Sequence, residues 1–302
     1  MAAAPPMDHV PATRLPVRFC GLDLAHPVIN ASGTFDALAA RRAFGDELLA
    51  QFPFSAFVSK TITPSPRDGN APPRLWEAAA GMINSIGLPN RGLDGYLTHD
   101  LPELARLPVP LITNVMASTP DALATLTEAV AERPEVSAIE LNVSCPNVET
   151  GLDLGADPRG VASVMAAVRP RTRKPVIVKL TPNTADVAEV AAAAEAGGAD
   201  AVSLINTLKA TALRPGGGGA WLGGGTGGLS GPAIRVVALA QVAAVAQRVS
   251  IPVIGMGGVA TGRNAQDLLE AGAILVAVGT ESFRDPAAGA RIARELSAFS
   301  RK

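Results

Sequence analysis

Eight short apolar runs, each followed by a stretch with helical spacing, constrain this chain more than any other feature. The runs are 28–30 (VIN), 56–59 (AFVS), 111–114 (LITN), 138–141 (AIEL), 176–179 (VIVK), 201–205 (AVSLI), 253–256 (VIGM) and 274–277 (ILVA). Most are continuously apolar and β-branched, the pattern of strands covered on both faces in a parallel sheet. The stretches between them carry helix punctuation. Thr119-Pro120-Asp121 supplies an N-cap with proline at the first helical position, and Leu123, Leu126 and Val130 follow at helical spacing. Asp157-Pro158 repeats the device before Val161, Val164 and Val168. Thr184 is expected to open the alanine-rich helix 186–196, with Gly197-Gly198 closing it, and 264–271 and 285–299 also read as helices. Eight strand–helix units in one chain of this size predict a single α/β domain over 1–302, a (β/α)₈ barrel, with 1–16 a flexible N-terminal segment. A doubly wound sheet is the alternative, but no G-x-G-x-x-G turn follows the first strand.

Composition narrows the class. With 26 Lys+Arg against 27 Asp+Glu and no block of like charge, no basic face for nucleic acid is expected. Two cysteines exclude a disulfide framework, an iron–sulfur cluster and a cysteine-rich zinc site within this chain. Residues 1–16 lack the apolar segment of a secretory signal, and no apolar run reaches the roughly 18–20 residues of a membrane span. A cytoplasmic protein without membrane attachment is expected.

Two connections exceed simple loops. Residues 61–93 follow the second strand, and 208–231, with Gly216–Gly219 and Gly223–Gly225, follow the sixth. Insertions on the active face of a barrel are more often binding loops than linkers.

Barrels place chemistry at the C-terminal ends of their strands. There stand Asn30 and Ser32; Lys60 and Thr61; Asn114; Asn142, Cys145 and Asn147; Lys179; Asn206 and Thr207; Gly257-Gly258; and Gly279-Thr280. Gly257-Gly258 and Gly279-Thr280 after the last two strands match the phosphate site that barrels build there from bare N–H groups. Only five basic residues are lysines, and two of them, Lys60 and Lys179, end apolar strands, which points to a ligand anion. Cys145, directly after the fourth strand, is a candidate catalytic thiol, whereas Cys20 beside Phe19 reads as packing. No histidine or carboxylate pair gathers on the rim, so no metal site is expected.

Five motifs in order, ASGT (31–34), SKTIT (59–63), NSIGLPN (84–90), NVSCPN (142–147) and TGGLSGPA (226–233), together resemble class 1 dihydroorotate dehydrogenases, over the chain from about Val17 onward. The resemblance implies oxidation of (S)-dihydroorotate to orotate in pyrimidine (UMP) biosynthesis, with Cys145 as base and one non-covalent FMN as hydride acceptor. It places the FMN phosphate on Gly257, Gly258, Gly279 and Thr280. Ser32, Lys60, Thr61, Asn114, Asn142, Lys179, Ile205 and Gly231 would surround the rest. Asn84, Ser85, Ile86, Gly87, Leu88, Asn142, Asn147, Asn206 and Thr207 would hold the substrate, with Lys60 shared. NSIGL and GGLSGPA are more similar to the NAD-linked subclass (1B), which implies a partner subunit carrying FAD and a [2Fe–2S] cluster, around a homodimer core. The stretch 209–225 departs from the family in its glycine content. A fumarate-linked enzyme and a dihydropyrimidine dehydrogenase-like flavin barrel remain alternatives, as does a non-redox phosphate-binding isomerase or lyase.

Overall fold

The structure is a computed structural model and describes residues 15–143 and 154–299. Cys145 and Asn147 lie outside them, as does most of the segment 1–16.

The eight runs form one parallel sheet. Its strands are β1 (Val28–Asn30), β2 (Phe57–Val58), β3 (Leu111–Val115), β4 (Val136–Asn142), β5 (Val176–Lys179), β6 (Ala201–Leu204), β7 (Val253–Met256) and β8 (Leu275–Val278). Each pairs with its neighbour in sequence from β2 to β8, and β8 pairs back onto β1 through Val276–Val28 and Val278–Asn30. The expected barrel is present, with strand ends displaced by one or two residues from the sequence reading.

The seam between β1 and β2 closes by a side chain. Val58 N–H donates to Asn30 Oδ1 at 2.8 Å, and Asn30 Nδ2 donates to the Val58 carbonyl at 2.8 Å. The amide thereby does the work of one peptide unit in a ladder, and Asn30 is fully buried. Sequence reasoning placed Asn30 on the rim; its side chain instead faces this seam.

Two apolar layers result. Ile29, Val58, Ile112, Ala138, Ile177, Ala201, Ile254 and Ala277 point into the barrel, and Phe19 and Leu24 of the hairpin Val17–Phe19/Leu22–Leu24 join them. The alternate residues pack outward on the helices, as a sheet covered on both faces requires: Ile139, Leu141, Val178, Val202 and Val276 lie in the outer cluster. Helices Pro120–Ala131 and Pro158–Val168 begin as expected, with Thr119 accepting from Ala122 N–H and Asp157 from Arg159 N–H. The helix Val187–Ala196 differs. Its cap is Asp186, which accepts from Ala188 and Glu189 N–H, while Thr184 donates to the Ala156 carbonyl.

The two long insertions pair with each other. Leu75–Ala78, Gly81–Asn84, Gly227–Ser230 and Leu208–Ala210 form a four-stranded antiparallel sheet, with Ile83 opposite Leu229. Trp76 and Trp221 meet edge-on against it, ring centroids 5.2 Å apart. The binding-loop expectation therefore becomes a folded roof of one sheet drawn from both insertions.

Two consequences are measurable. Asn30→Val leaves the buried N–H and C=O of Val58 unpartnered, at about 1–3 kcal/mol each. Urea unfolding should show a loss of about 2–5 kcal/mol, and a loss under about 1 kcal/mol would mean that other contacts close the seam. His26, whose Nδ1 accepts from Val28 N–H at 3.3 Å, is driven down to about 4 by burial. Its folded form stays neutral where the unfolded form, near 6.5, takes up a proton. Its contribution is therefore lost as pH falls below about 6.5 and levels off near pH 4, reaching about 3 kcal/mol. Stability curves of His26→Gln and the parent should converge across that window; parallel curves would remove His26 as the cause.

Candidate active site

Beneath the roof, at the C-terminal ends of the strands, lies a cavity of about 680 Å³. That is within the roughly 300–1,000 Å³ usual for ligand and cofactor sites. Its walls come from four directions.

The first wall is the pair of loops after β7 and β8. Gly257 and Gly258 have φ of +130° and +68°, in the region that favours glycine, and a Cβ on Gly258 would stand 2.9 Å from the Gly231 carbonyl. Gly279 and Thr280 complete this side, and Thr280 Oγ1 donates to Ser230 Oγ at 2.8 Å. The chain here offers bare backbone and hydroxyls, which suits an anion.

The second wall follows β1 and β2. Ser32 Oγ donates to the Ser59 carbonyl at 2.9 Å and stands 3.5 Å from Thr61 Oγ1. Lys60 beside them is exposed towards the cavity. The third wall follows β4 to β6. Asn142 Nδ2 donates to Thr61 Oγ1 at 3.4 Å, Asn142 lies opposite Lys179 in the ladder, and Ile205, Asn206 and Thr207 continue from β6. Lys179 is buried, and among the described residues neither lysine has an ion-pair partner. The roof supplies Asn84, Ile86, Gly87 and Leu88.

Two predicted residues stand off the wall. Ser85 is fully buried in the roof, where its hydroxyl accepts from Asn70 Nδ2 at 2.9 Å and donates to the Thr226 carbonyl at 2.8 Å. A strand alternates faces, so a neighbour of Asn84 turns the other way. Asn114 is also fully buried. Its Nδ2 donates to Glu140 Oε2 at 2.5 Å, Ser203 Oγ donates to Glu140 Oε1 at 2.7 Å, and Asn114 Oδ1 has no partner among the described residues. This inward polar layer was not expected from the sequence, although Glu140 inside an apolar run was its signal.

Ser230 and the mouth residues Leu75, Trp76 and Phe283 line the cavity as well and were missed. Leu75 and Phe283 are exposed apolar side chains, which no periodic pattern distinguishes from core. Cys20 is a packing residue, as read: its Sγ donates to the Asp200 carbonyl at 3.5 Å, and burial, aided by Asp200, pushes its thiol up to about 12. Among the described residues no cluster of His, Cys, Asp and Glu could hold a metal ion, and no helix is long and apolar enough to cross a membrane.

A barrel with a glycine cradle over its last two strands, amides and lysines on its rim, and a folded roof is the scaffold of an enzyme acting on a small polar molecule. The chain belongs to the dihydroorotate dehydrogenase family, whose model matches residues 14–299. It is 43% identical over 292 residues to a Desulforudis audaxviator protein named dihydroorotate dehydrogenase B (NAD(+)), catalytic subunit, covering 94% of this chain and 91% of that one. A Bacillus pumilus protein of the same name is 45% identical over 289 residues, 93% of this chain and 90% of that one. Among solved structures, the Eimeria tenella dihydroorotate dehydrogenase in complex with ferulenol matches with a TM-score of 0.77 at 24% identity, over 96% of this chain and 86% of that one. That likeness concerns the fold.

Proposed function

We propose that this chain is the catalytic subunit of an NAD-linked dihydroorotate dehydrogenase, which oxidises (S)-dihydroorotate to orotate in pyrimidine biosynthesis in the cytoplasm. The observation that carries the reading is the junction of the glycine cradle with two lysines and a ring of amides in one cavity.

The residues fit flavin mononucleotide. Gly257, Gly258, Gly279 and Thr280 would take its phosphate on bare backbone, in a loop where Gly258 packs so close to Arg235 and the Gly231 carbonyl that no side chain fits. Ser32, Lys60, Thr61, Asn142, Lys179, Ile205 and Gly231 would border the ring, with Asn114 contributing from below; its unpartnered Oδ1 is an acceptor awaiting a donor. When bound, the flavin supplies the hydride acceptor for the C6–H of dihydroorotate.

The chain's own residues do the rest. Lys60 and Lys179 set positive charge where negative charge accumulates on reduction. Asn84, Asn142, Asn147, Asn206 and Thr207 would hold the ring and its carboxylate under Ile86, Gly87 and Leu88, and the roof excludes water. The Cys145 thiolate would remove the C5 proton, so the rate rises with pH until that thiol is ionised. Ser85, being turned away, would support Asn84 from within the roof rather than touch substrate.

Nothing in this chain relays electrons to NAD: two cysteines are too few for a cluster. A partner subunit carrying FAD and [2Fe–2S], attached to a core of two copies of this chain, would do so. The purified chain should therefore hold about one non-covalent FMN and reduce dyes with dihydroorotate, but reduce NAD only after the partner is added. A colourless protein that FMN does not reconstitute would overturn the redox reading. Fast NAD reduction by the chain alone would remove the relay, and brisk fumarate reduction would move it to the other soluble subclass. Cys145→Ala should lose about 10²–10⁴-fold in dihydroorotate oxidation while keeping FMN and orotate binding. A loss of only a few-fold would place the base elsewhere.

A further inference from the structure

Arg291 lies on the C-terminal helix Ala288–Phe299, outside the cavity wall, yet its guanidinium touches both loops of the glycine cradle. Nη1 donates to the Ala260 carbonyl at 3.0 Å, in the loop after β7. Nη2 donates to Glu281 Oε1 at 3.0 Å, in the turn after β8. The same group reaches Asp285 at 2.9 Å and Glu295 at 3.2 Å. Glu295 in turn accepts from Gly262 N–H at 2.6 Å, which fixes the start of the helix after β7. Ala260 and Glu281 both lie on the cavity wall.

Two physical consequences follow from this arrangement. A planar guanidinium with a fixed fork of donors sets the distance between the groups it joins, which a flexible ammonium does not. Glu281 also brings a carboxylate to the side of the cavity that suits an anion, and like charges there repel unless one is neutralised. Arg291 supplies a positive charge from behind, shared with Asp285 and Glu295, that offsets part of the Glu281 charge.

We propose that Arg291 is a positioning residue for the cofactor phosphate: it locks the two cradle loops in register and holds the Glu281 carboxylate in an ion pair on its own side, offsetting part of its charge. The proposal rests on the FMN reading above. Its signature is selective for the phosphate, because riboflavin shares the ring system and lacks that group.

The test is fluorescence titration of the flavin-free full chain with FMN and with riboflavin, for the parent, Arg291→Met, Arg291→Lys and Arg291→Met/Glu281→Gln. Arg291→Met should weaken FMN binding about tenfold and leave riboflavin within about twofold, so that the preference for FMN collapses. Glu281→Gln in that background should restore part of the FMN affinity, a rescue that simple loss of packing does not give. Arg291→Lys keeps the charge without the fork and should fall between, which serves if the methionine variant does not fold. An unchanged FMN-to-riboflavin ratio, or a parallel loss of both flavins without rescue, would overturn the clamp. A parent chain that binds riboflavin as tightly as FMN would overturn the phosphate reading, and the clamp with it.

Discussion

Closure of the parallel sheet is the constraint on which everything else here depends. A parallel barrel brings all eight C-terminal strand ends to one rim only if the first and second strands meet, and here they are too short for a regular ladder. The Asn30 amide substitutes for the missing peptide unit, donating and accepting against Val58. Two residues beyond each partner stand Ser32 and Lys60, both on the cavity wall. The seam that completes the barrel therefore also sets the spacing of one side of the site. Fold stability and site geometry share a residue there.

The interior below the site is graded. At the hairpin end it is filled by apolar side chains such as Phe19 and Leu24, and nearer the cavity Asn114 and Glu140 enter at one level and Ser203 at the next. A buried carboxylate is costly unless donors satisfy it, and here two do. Parallel register stacks the layers: Asn114 is level with Glu140, while Asn142, two residues further along β4, is level with Lys179. Polar character thus rises towards the rim along β3 to β6, while the inward residues of β7 and β8 stay apolar, and Lys179 enters a lining already prepared for charge. A buried lysine above an apolar layer would face a far larger desolvation cost.

The barrel was legible because each strand is covered on both faces and so leaves a continuous apolar run, and because proline and threonine or aspartate mark the helix starts. The glycine turns at Gly257-Gly258 and Gly279-Thr280 were legible for a related reason: bare backbone after a strand is chemically conspicuous. What escaped was anything set by pairing between distant segments. The roof strands are four residues or fewer, too short to carry a periodic signal, so nothing in residues 75–84 alone announces a partner at 227–230. Ser85 and Asn114 sit in readable motifs, yet the facing of a side chain depends on register, which motifs do not carry. Arg291 is a helix residue far along the chain from the loop after β7 that it touches, and arginine on a helix is ordinary.

The glycine-rich insertion separates into two physically different parts. Gly227 and Gly228 belong to the roof, where a Cβ on Gly228 would collide with the Thr207 side chain, itself on the cavity wall. Small size at that position is what allows the roof to lie close over the site. Gly216 to Gly219 have positive φ, but no atom comes within 4 Å of where their Cβ atoms would be. They form the tip of a turn closed by the Leu213–Ala220 bridge and by Arg214 N–H donating to the Gly219 carbonyl at 3.0 Å. None of the four lines the cavity. Glycine is therefore free of packing demands at the tip 216–219, whereas Gly223, Gly224 and Gly228 are required by close approach to the Ala71 carbonyl, the Ser85 hydroxyl and the Thr207 side chain.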